Sequence, residues 1–427
     1  MSERILLLGS GGREHALAWS LRKSASCATL WCAPGNPGIA EVAELVPLSL
    51  TDAASVVDWC QVHKPTCIVI GPEQPLASGV SDALRSAGFA VFGPSAAAAR
   101  LESSKGFAKD FMLRHAIPTA AYKRFTNREE AEQYVKGAPL PVVVKYDGLA
   151  AGKGVVVAHS QQEAILAVQD MFAGSFGSDG VVIEEFLEGI EASIFAITDG
   201  KEYVTLAPAH DYKRIGDADT GKNTGGMGSV APSPRVTSEV VMKVKTRIIE
   251  PTLRGMDSEG MPFIGCLYCG IMIDQGGNPY VVEFNARFGD PETQTVLSVL
   301  RADTAELVAS AARGSLNTSS ISDIAEGIAV CVVLASGGYP DSYAKGVEIT
   351  GIHHAETDHE VRVFHAGTAW SGGGEGRSPV LVTNGGRVLG VTALRDTLEA
   401  ATVAAYEACD CISFDMMYYR TDIGKSK

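Results

Sequence analysis

The first hundred residues alternate short apolar runs with helical patterns, and this alternation limits the possible folds more than any other feature of the chain. The predicted elements are, in chain order, strand Ile5–Leu8, helix Glu14–Lys23, strand Thr29–Cys32, helix Ala53–His63, strand Cys67–Ile70, helix Val80–Ala87 and strand Phe89–Phe92. Strands that are joined through helices pair in parallel. The pattern therefore predicts an α/β domain with a doubly wound parallel sheet.

More than one domain is expected, because 427 residues exceed the ~250–300 over which a single core keeps growing. The helical pattern Ala96–Arg114 stops before Ile117-Pro118, since proline cannot continue a helix. The elements predicted for the next segment are strands Val142–Lys145, Val155–Ala158 and Val181–Glu185 with helix Gln162–Met171. The predicted domains span residues 1–117, 118–187, 188–326 and 327–427.

The two remaining segments differ in their predicted content. The central one carries the predicted strands Ile194–Thr198, Tyr203–Ala207, Phe263–Asp274 and Tyr280–Phe284. Between them we predict a long loop, Asp211–Arg235, which is rich in glycine and charge and is more often functional than accidental. The last segment is strand-rich, with predicted strands Ile328–Leu334, Val361–His365, Val380–Thr383 and Val388–Ala393 before a helix near Thr397–Ala408.

Composition excludes several classes of protein. The net charge of -14 and a pI near 5.2 lack the basic stripe that nucleic-acid binding requires, so no nucleic-acid partner is expected. No apolar run approaches the ~20 residues that cross a bilayer, and Met1–Arg4 leads into a strand rather than a signal peptide. No membrane partner and a cytoplasmic location are therefore expected. Cys266 and Cys269 form C-x-x-C inside an apolar run, which predicts core thiols on opposite faces.

A glycine-rich segment, Asp147–Gly154, lies between two predicted strands. Its glycines let backbone N–H groups approach phosphate oxygens, while Lys145 and Lys153 supply positive charge. It is not a Walker A loop, which needs one more residue between the glycines, a hydroxyl after the lysine and a following helix. Phosphate binding and a simple flexible hairpin remain equal alternatives from this segment alone.

Glu283-Phe284-Asn285 ends a predicted strand, and alternation places the oxygens of Glu283 and Asn285 on one face. Two such oxygens suit a Mg²⁺ ion that keeps waters and bridges nucleotide phosphates. A solvated strand end is the simpler alternative. However, Arg287-Phe288-Gly289-Asp290-Pro291-Glu292 follows at once and adds a cation and two carboxylates.

Gly9-Ser10-Gly11-Gly12-Arg13 joins the first strand to a helix, which makes a natural anion site. A dinucleotide-binding fold would need glycine where Glu14 stands and an acidic residue in place of Trp31-Cys32. An oxidoreductase is therefore disfavoured, and a monophosphate or ribose phosphate is the better ligand. Histidines without a spaced Ser or Cys partner give no support for a nucleophilic triad.

A second glycine run, Thr224–Gly228, follows Asp211, Lys213 and Arg214 and suits another ligand held by backbone groups. A surface loop that uses its glycines for turns is the alternative. Together, five motifs resemble the phosphoribosylamine–glycine ligase family of ATP-grasp enzymes, in the same order and over essentially the whole of Met1–Ile423. They are Gly11–Ala16, Gly71-Pro72-Glu73, Asp147–Gly154, Asn223–Gly228 and Arg287–Gln294. The last is the most specific.

The resemblance implies a ligase of de novo purine synthesis that joins glycine to 5-phosphoribosylamine through glycyl phosphate, at the expense of ATP. It also implies that residues 1–117 bind phosphoribosylamine, 118–187 form an ATP lid, 188–326 are the catalytic domain and 327–427 a strand-rich domain. A monomer or weak dimer is expected, and the only partners expected are glycine, phosphoribosylamine and ATP.

Site residues follow from the matched motifs. The implied ATP-binding residues are Lys105, Lys145, Gly152, Lys153, Gly154, Glu184, Glu185, Phe186, Leu187 and Glu191. The implied substrate-binding residues are Gly11, Gly12, Arg13, Pro72, Glu73, Asp211, Lys213, Gly225, Gly226, Met227, Gly228, Arg287, Asp290 and Pro291. Glu283 and Asn285 would hold Mg²⁺ or Mn²⁺. Arg287, Asp290 and Lys145 would be catalytic.

The sequence departs from the family pattern at Tyr146, where a small residue is usual, and at Lys222, which replaces a proline. Two alternatives compete with this ligase. Another ATP-grasp ligase or carboxylase would keep the metal and lid residues but change the loops Gly11–His15 and Arg287–Gln294. A catalytically silent nucleotide-binding or scaffold protein should have lost Glu283, Asn285 or Lys145.

Overall fold

The computed structural model describes residues 2–150, 154–173, 180–318, 326–372 and 378–425. Within these residues no helix is both long enough and apolar enough to cross a membrane. The predicted residues Gly152 and Lys153 lie outside the described part of the chain.

The N-terminal region contains the predicted parallel sheet. Its strands are β1 (Glu3–Gly9), β2 (Cys27–Pro34), β3 (Glu44–Leu45), β4 (Cys67–Ile70) and β5 (Val91–Phe92), in spatial order β3-β2-β1-β4-β5 and all parallel. The helices are α1 (Gly12–Lys23), α2 (Ala53–His63), α3 (Glu73–Ala77), α4 (Val80–Ser86), α5 (Ala96–Ser103) and α6 (Lys105–Arg114). Strand order reverses beside β1, and ligands bind such sheets at that switch point, outside the carboxyl ends of the strands. Gly9 ends β1 and Ile70 ends β4, so both N-terminal motifs reach this crevice.

The single helix predicted over Ala96–Arg114 is wrong, because Ser104 interrupts it. Ser104 is extended (φ −137°), and its Oγ accepts a hydrogen bond from Phe107 N at 3.1 Å as the N-cap of α6. The same hydroxyl donates to Asp147 Oδ1 at 3.0 Å, which also accepts from Gly106 N. The break is specified by a residue more than forty positions away, so the local helical pattern did not reveal it.

The second region is a four-stranded antiparallel sheet with two helices on it. Its elements are β6 (Tyr122–Phe125), α7 (Arg128–Val135), β7 (Val142–Tyr146), β8 (Val155–Ala158), α8 (Gln161–Phe172) and β9 (Val181–Glu185), in strand order β6-β9-β7-β8. Its apolar core is separate from the other cores and includes Val144, Val168 and Ile183. Lys145 and Glu184 are on neighbouring strands, which brings two predicted ATP residues together.

The central region adds the strands β10 (Ile190–Asp199), β11 (Tyr203–Thr205), β12 (His210–Asp211), β13 (Arg214–Gly216), β14 (Thr220–Asn223), β15 (Gly228–Ala231), β16 (Ile264–Ile273) and β17 (Pro279–Asn285). Its helices are α9 (Ser238–Val244), α10 (Glu250–Ser258), α11 (Glu292–Val299) and α12 (Thr304–Ala312), with a π-helical turn Lys245–Ile249 between α9 and α10. The sheet β11-β10-β16-β17 shares its two apolar cores with the N-terminal domain. Cys266 packs in one core and Cys269 in the other, which confirms the prediction of core thiols on opposite faces.

The prediction of a long structureless loop over Asp211–Arg235 is wrong. The segment begins at the end of β12, forms a hairpin from β13 and β14, and supplies β15. Strand β15 pairs with β18 (Ile328–Ala335), about a hundred residues further along the chain. Such pairing is decided by tertiary contacts, whereas the prediction rests on the glycine-rich composition, which favours a loop.

The C-terminal region completes a sheet in the order β12-β15-β18-β22-β19. Its remaining elements are α13 (Ile352–Ala355), β19 (Val361–His365), β20 (Thr368–Ser371), β21 (Val380–Thr383), β22 (Arg387–Arg395) and α14 (Leu398–Cys411). Because β12 and β15 come from the central region, the two regions share one sheet. Residues of the C-terminal region thereby reach the glycine run Gly225–Gly228.

A buried histidine pair joins the N-terminal and C-terminal regions. His15 Nδ1 accepts a hydrogen bond from His365 N at 2.8 Å, and Gly38 lies so close that a Cβ there would come within 2.3 Å of the His15 ring. Burial, aided by His365, lowers the pKa of His15 to about 3. The folded protein therefore keeps His15 neutral at pH values where the unfolded chain protonates it.

We expect the free energy of unfolding to fall as the pH is lowered below 6.5, because the unfolded state then binds more protons than the native state. In His15→Asn, which keeps an acceptor but cannot titrate, thermal unfolding should depend less steeply on pH over this range. The exposed His353 supplies the control variant, His353→Asn. An identical pH dependence in wild type and His15→Asn would contradict the prediction.

Candidate active site

The turn after β1 is shaped around the side chain of Glu14. Glu14 Oε2 accepts a hydrogen bond from Gly11 N at 2.6 Å, and a Cβ at Gly9 or Gly71 would come within 2.2 or 2.3 Å of this side chain. Burial raises the pKa of Glu14, against the opposing charge of Arg13. The glycines at 9 and 71 are therefore required by packing, and the residue that disfavoured a dinucleotide fold fills the space between β1 and β4.

Arg13 links the two N-terminal motifs. Its Nη1 donates to Gly71 O at 3.0 Å and to Glu14 Oε1 at 3.2 Å. Its Nε is buried and lacks a hydrogen-bond partner among the described residues. A buried cationic donor without an acceptor is costly, so this position suits an anionic ligand.

Asp290 lies against this turn. Its Oδ2 accepts from Arg13 N at 3.4 Å, and its Oδ1 accepts from Gln294 Nε2 at 3.0 Å and lies 3.5 Å from Arg387 Nη1. Burial opposes ionisation, yet Arg387 and Arg13 hold the pKa of Asp290 below its usual value. The structure thus brings the predicted Gly11–Arg13 turn and Asp290 together, although nearly the whole N-terminal and central regions separate them in sequence.

Arg287 is held by two carboxylates of the N-terminal region. Its Nη2 lies 2.6 Å from Glu102 Oε1, and its Nε lies 3.3 Å from Glu73 Oε2. Burial works against the charge, but Glu102 and Glu73 raise the pKa of Arg287. Pro72, the N-cap of α3, places Glu73 here. Glu102 was not predicted from the sequence, since it belongs to no motif.

Glu283 and Asn285 end β17, beside a concentration of charge. Glu283 Oε1 lies 3.9 Å from Lys213 Nζ, and Lys213 also pairs with Glu191. Burial would raise the pKa of Glu283, but Lys213, Lys145 and Lys105 hold it below the usual value, so it stays a carboxylate.

Asp211 is the neighbouring carboxyl group. Burial raises its pKa well above the usual value, against Lys213, and the carboxylates Glu292, Glu191 and Glu283 raise it further. Within the described residues no three His, Cys, Asp or Glu side chains form a ready metal cage. One carboxylate and one amide oxygen, beside lysines that suit phosphate oxygens, fit Mg²⁺, which keeps waters and phosphate oxygens as its other ligands.

The predicted ATP lysines converge on the edge of the second region. Lys145 Nζ donates to Val282 O and to Glu184 Oε2, each at 3.0 Å, and Lys105 Nζ donates to Gly148 O at 2.9 Å. Lys109, which was not predicted, lies 2.8 Å from the same Glu184 oxygen. Glu184 Oε1 is buried and has no partner among the described residues.

The remaining predicted ATP-binding residues lie at or beside the ends of strands β8, β9 and β10. Glu185 ends β9, where its Oε1 accepts from Ala121 N at 2.9 Å, and Phe186 and Leu187 follow before β10. Gly154 precedes β8, and its carbonyl accepts from Tyr146 N at 2.8 Å. Glu191 lies on β10 beside Lys213.

The two departures from the family pattern have structural explanations. Tyr146 is buried in the core of the second region, and a Cβ on Gly148 would come within 2.5 Å of its ring. Lys222 is exposed and pairs with Asp341 at 2.7 Å.

The glycine loop, which we define as Gly225–Gly228, packs on Pro291. Gly226 has a positive φ of +113°, and a Cβ there would come within 2.4 Å of Pro291 Cδ. Met227 is fully buried, and Gly228 begins β15. The loop is therefore fixed against the Asp290 turn.

Lys145 of the antiparallel sheet β6-β9-β7-β8 reaches Val282 O on the sheet β11-β10-β16-β17, and two sheets that meet at such lysines and carboxylates are typical of an ATP-grasp protein. The phosphoribosylglycinamide synthetase models match this chain in three parts: the N domain at residues 3–102, the ATP-grasp (A) domain at 103–293 and the C domain at 329–426. The chain belongs to the phosphoribosylglycinamide synthetase family.

Known proteins agree with this assignment. The chain is 49% identical to a phosphoribosylamine–glycine ligase of Rhizobium meliloti over 99% of this chain and 98% of that protein. A crystal structure of phosphoribosylamine–glycine ligase from Thermotoga maritima has 35% identity and a TM-score of 0.82, over 98% of this chain and 99% of that one. A biotin carboxylase from Campylobacter jejuni, 14% identical with a TM-score of 0.73 over 99% of this chain and 94% of that one, shares the fold alone.

Proposed function

We propose that this chain joins glycine to 5-phosphoribosylamine with ATP, through glycyl phosphate, to give glycinamide ribonucleotide, ADP and phosphate. The names of its full-length relatives support this reaction. One observation carries it beyond the names: the turn at Gly11–Arg13 meets Asp290, while Glu283 lies near the lysines that suit ATP phosphates. A phosphorylated amine and a nucleotide would therefore flank one acyl group.

The charges of the site suit phosphoryl transfer to a carboxylate. The glycine carboxylate and the γ-phosphate repel each other, so catalysis depends on fixed positive groups around them. Lys105 and Lys145 supply charge on the ATP side, and Arg287 supplies it near Glu283 and Glu292. Glu283 and Asn285 would hold Mg²⁺ or Mn²⁺, which neutralises phosphate charge when bound.

The adenosine end of ATP would lie along β9 and β10. Glu184–Leu187 would present backbone groups to adenine, and Glu191 would receive the ribose. Among these residues, the side chain of Glu184 has the most firmly fixed position, because Lys109 and Lys145 both pair with its Oε2. Gly152, Lys153 and Gly154 would bind the ATP phosphates.

The second half of the reaction makes an amide. The amine of phosphoribosylamine attacks the acyl carbon, the C–O bond to phosphate breaks, and phosphate leaves with the electron pair. The attacking nitrogen must also lose a proton. We assign that proton to Asp290, because its carboxylate is ionised and a Cβ on Gly11 would lie 3.7 Å from its Oδ2. Glu292, whose Oε1 accepts a hydrogen bond from Ser193 Oγ at 3.2 Å, is the other candidate for the proton acceptor.

The predicted substrate-binding residues form two groups, one for phosphoribosylamine and one for glycine. Gly11, Gly12, Arg13, Pro72 and Glu73 would face phosphoribosylamine, whose phosphate suits the unpartnered donor of Arg13. Glycine and its acyl phosphate would lie among Asp211, Lys213, the glycine loop, Arg287, Asp290 and Pro291. We further propose a monomer or weak dimer in the cytoplasm.

Purified protein should release ADP only when ATP, glycine, 5-phosphoribosylamine and a divalent cation are all present. The assay follows ADP and glycinamide ribonucleotide while each component is omitted in turn. Omission of glycine should lower ADP release to background, because glycine is the phosphate acceptor. ADP release that ignores glycine but needs another carboxylate would point to a different ATP-grasp ligase.

A further inference from the structure

Arg387, the first residue of β22, contacts two substrate loops at once. Its Nη1 lies 2.6 Å from Gly225 O, 3.4 Å from Gly226 O and 2.7 Å from Asp290 O. The same atom lies 3.5 Å from the Asp290 carboxylate. One guanidinium of the C-terminal region thus joins the glycine loop to the Asp290 turn.

A second side chain of the C-terminal region holds the same loop. The hydroxyl of Tyr339 accepts a hydrogen bond from Gly225 N at 3.0 Å. Both backbone polar groups of Gly225 are therefore held from one side, the amide by Tyr339 and the carbonyl by Arg387. A Cβ on Gly225 would come within 2.9 Å of Arg387 Cζ, so glycine permits this close approach.

The charge of Arg387 at the start of β22 is matched by the carboxylate of Asp290, 3.5 Å away. Its neighbours are carbonyl oxygens and one carboxylate, all belonging to loops that would carry substrate. Buried charge is retained only where it is well paired, and a guanidinium donates to several acceptors in one fixed geometry. A positioning role explains both its residue type and its placement.

We propose that Arg387, with Tyr339, is a positioning residue that holds the glycine loop and the Asp290 turn at the separation needed to retain glycyl phosphate until the amine attacks. This inference rests on the proposed ligase reaction. It assigns to the C-terminal region a role in coupling ATP cleavage to amide formation. Loosening the loops would let water reach the acyl phosphate, which is consumed without product.

The test measures coupling, the ratio of ADP formed to glycinamide ribonucleotide formed. In Arg387→Met we expect this ratio to rise above one, the KM for glycine to increase more than the KM for ATP, and kcat/KM for glycine to fall about 10²-fold. Arg387→Lys should be intermediate, because lysine keeps the charge but not the fork of donors. Tyr339→Phe should shift the ratio in the same direction by less.

The chain offers a matched control at the other end of the same strand. Arg395 is the last residue of β22, is 21% exposed against 22% for Arg387, and pairs with Asp358 and Glu360 far from the substrate loops. Arg395→Met should keep wild-type coupling and a wild-type KM for glycine. Equal losses in both variants would overturn the proposal, since any arginine on β22 would then matter equally.

The outcomes separate this inference from the reaction on which it rests. If wild type fails to make glycinamide ribonucleotide, the proposed function fails. If wild type is active and Arg387→Met keeps its coupling and glycine KM, only the positioning role fails. If Arg387→Met does not fold, Tyr339→Phe decides: an unchanged ratio in that variant overturns the proposal, and a raised ratio supports it.

Discussion

Replacing Glu283 with glutamine is expected to reduce ADP release by about 10²- to 10³-fold or more while the protein stays folded. The amide cannot supply the negative charge that a divalent cation needs from its one protein carboxylate. Stability should change modestly, because Glu283 is 36% exposed and two charge effects oppose each other: the amide loses the attraction of Lys213 but also the repulsion with Asp211. Steady-state ADP release over a range of Mg²⁺ concentrations, with thermal unfolding alongside, measures both effects.

The matched control for this substitution is Glu250→Gln. Glu250 is 37% exposed, accepts a hydrogen bond from the Tyr203 hydroxyl and pairs with Arg254, so it is a half-exposed, partnered glutamate on α10 rather than β17. Its variant should keep wild-type ADP release and the same response to Mg²⁺. Retained turnover in Glu283→Gln would remove the metal assignment, and a large loss in both variants would indicate a general defect.

Local patterns were sufficient for most elements of the fold. The helix Ala53–His63 and the strands Cys67–Ile70 and Val361–His365 have the predicted bounds, because their apolar spacing matches one regular structure and turn residues flank them. The failures have a common cause. Ser104 breaks a helical run and hydrogen-bonds to Asp147, and β15 pairs with β18 about a hundred residues away, so both features depend on distant residues.

The candidate site shows the same contrast between residues with a local sequence signal and residues that only the fold brings together. Glycine runs and the Glu283–Glu292 segment stand out because several unusual residues occur close together in sequence. Glu102, Lys109 and Arg387 are single charged residues in ordinary helices or strands, and only the fold places them against Arg287, Glu184 and Asp290. Tertiary proximity, which carries no local signal, explains why sequence reasoning missed them.

Replacing Arg287 with methionine is expected to lower both stability and activity, for separate reasons. Glu102, 7% exposed, would lose the cation that lies 2.6 Å away, and breaking a buried ion pair from one side costs about 3–5 kcal/mol. The transferring phosphoryl group would also lose a fixed positive charge, which we expect to reduce kcat by about 10³-fold. Chemical denaturation and initial rates of ADP release measure the two losses.

A double variant separates the two roles of Arg287. In Arg287→Met/Glu102→Gln the stranded carboxylate is replaced by an amide whose oxygen can still accept from Ala286 N, as Glu102 Oε2 does at 2.7 Å. Much of the lost free energy of unfolding should return, because Glu102 no longer buries an unpaired charge, while Glu73 is 29% exposed and keeps the attraction of Arg13. The rate should stay low, since the fixed positive charge near Glu283 and Glu292 is still missing. Recovery of activity together with stability would mean that Arg287 only supports the fold, and phosphoryl transfer would then depend on the lysines alone.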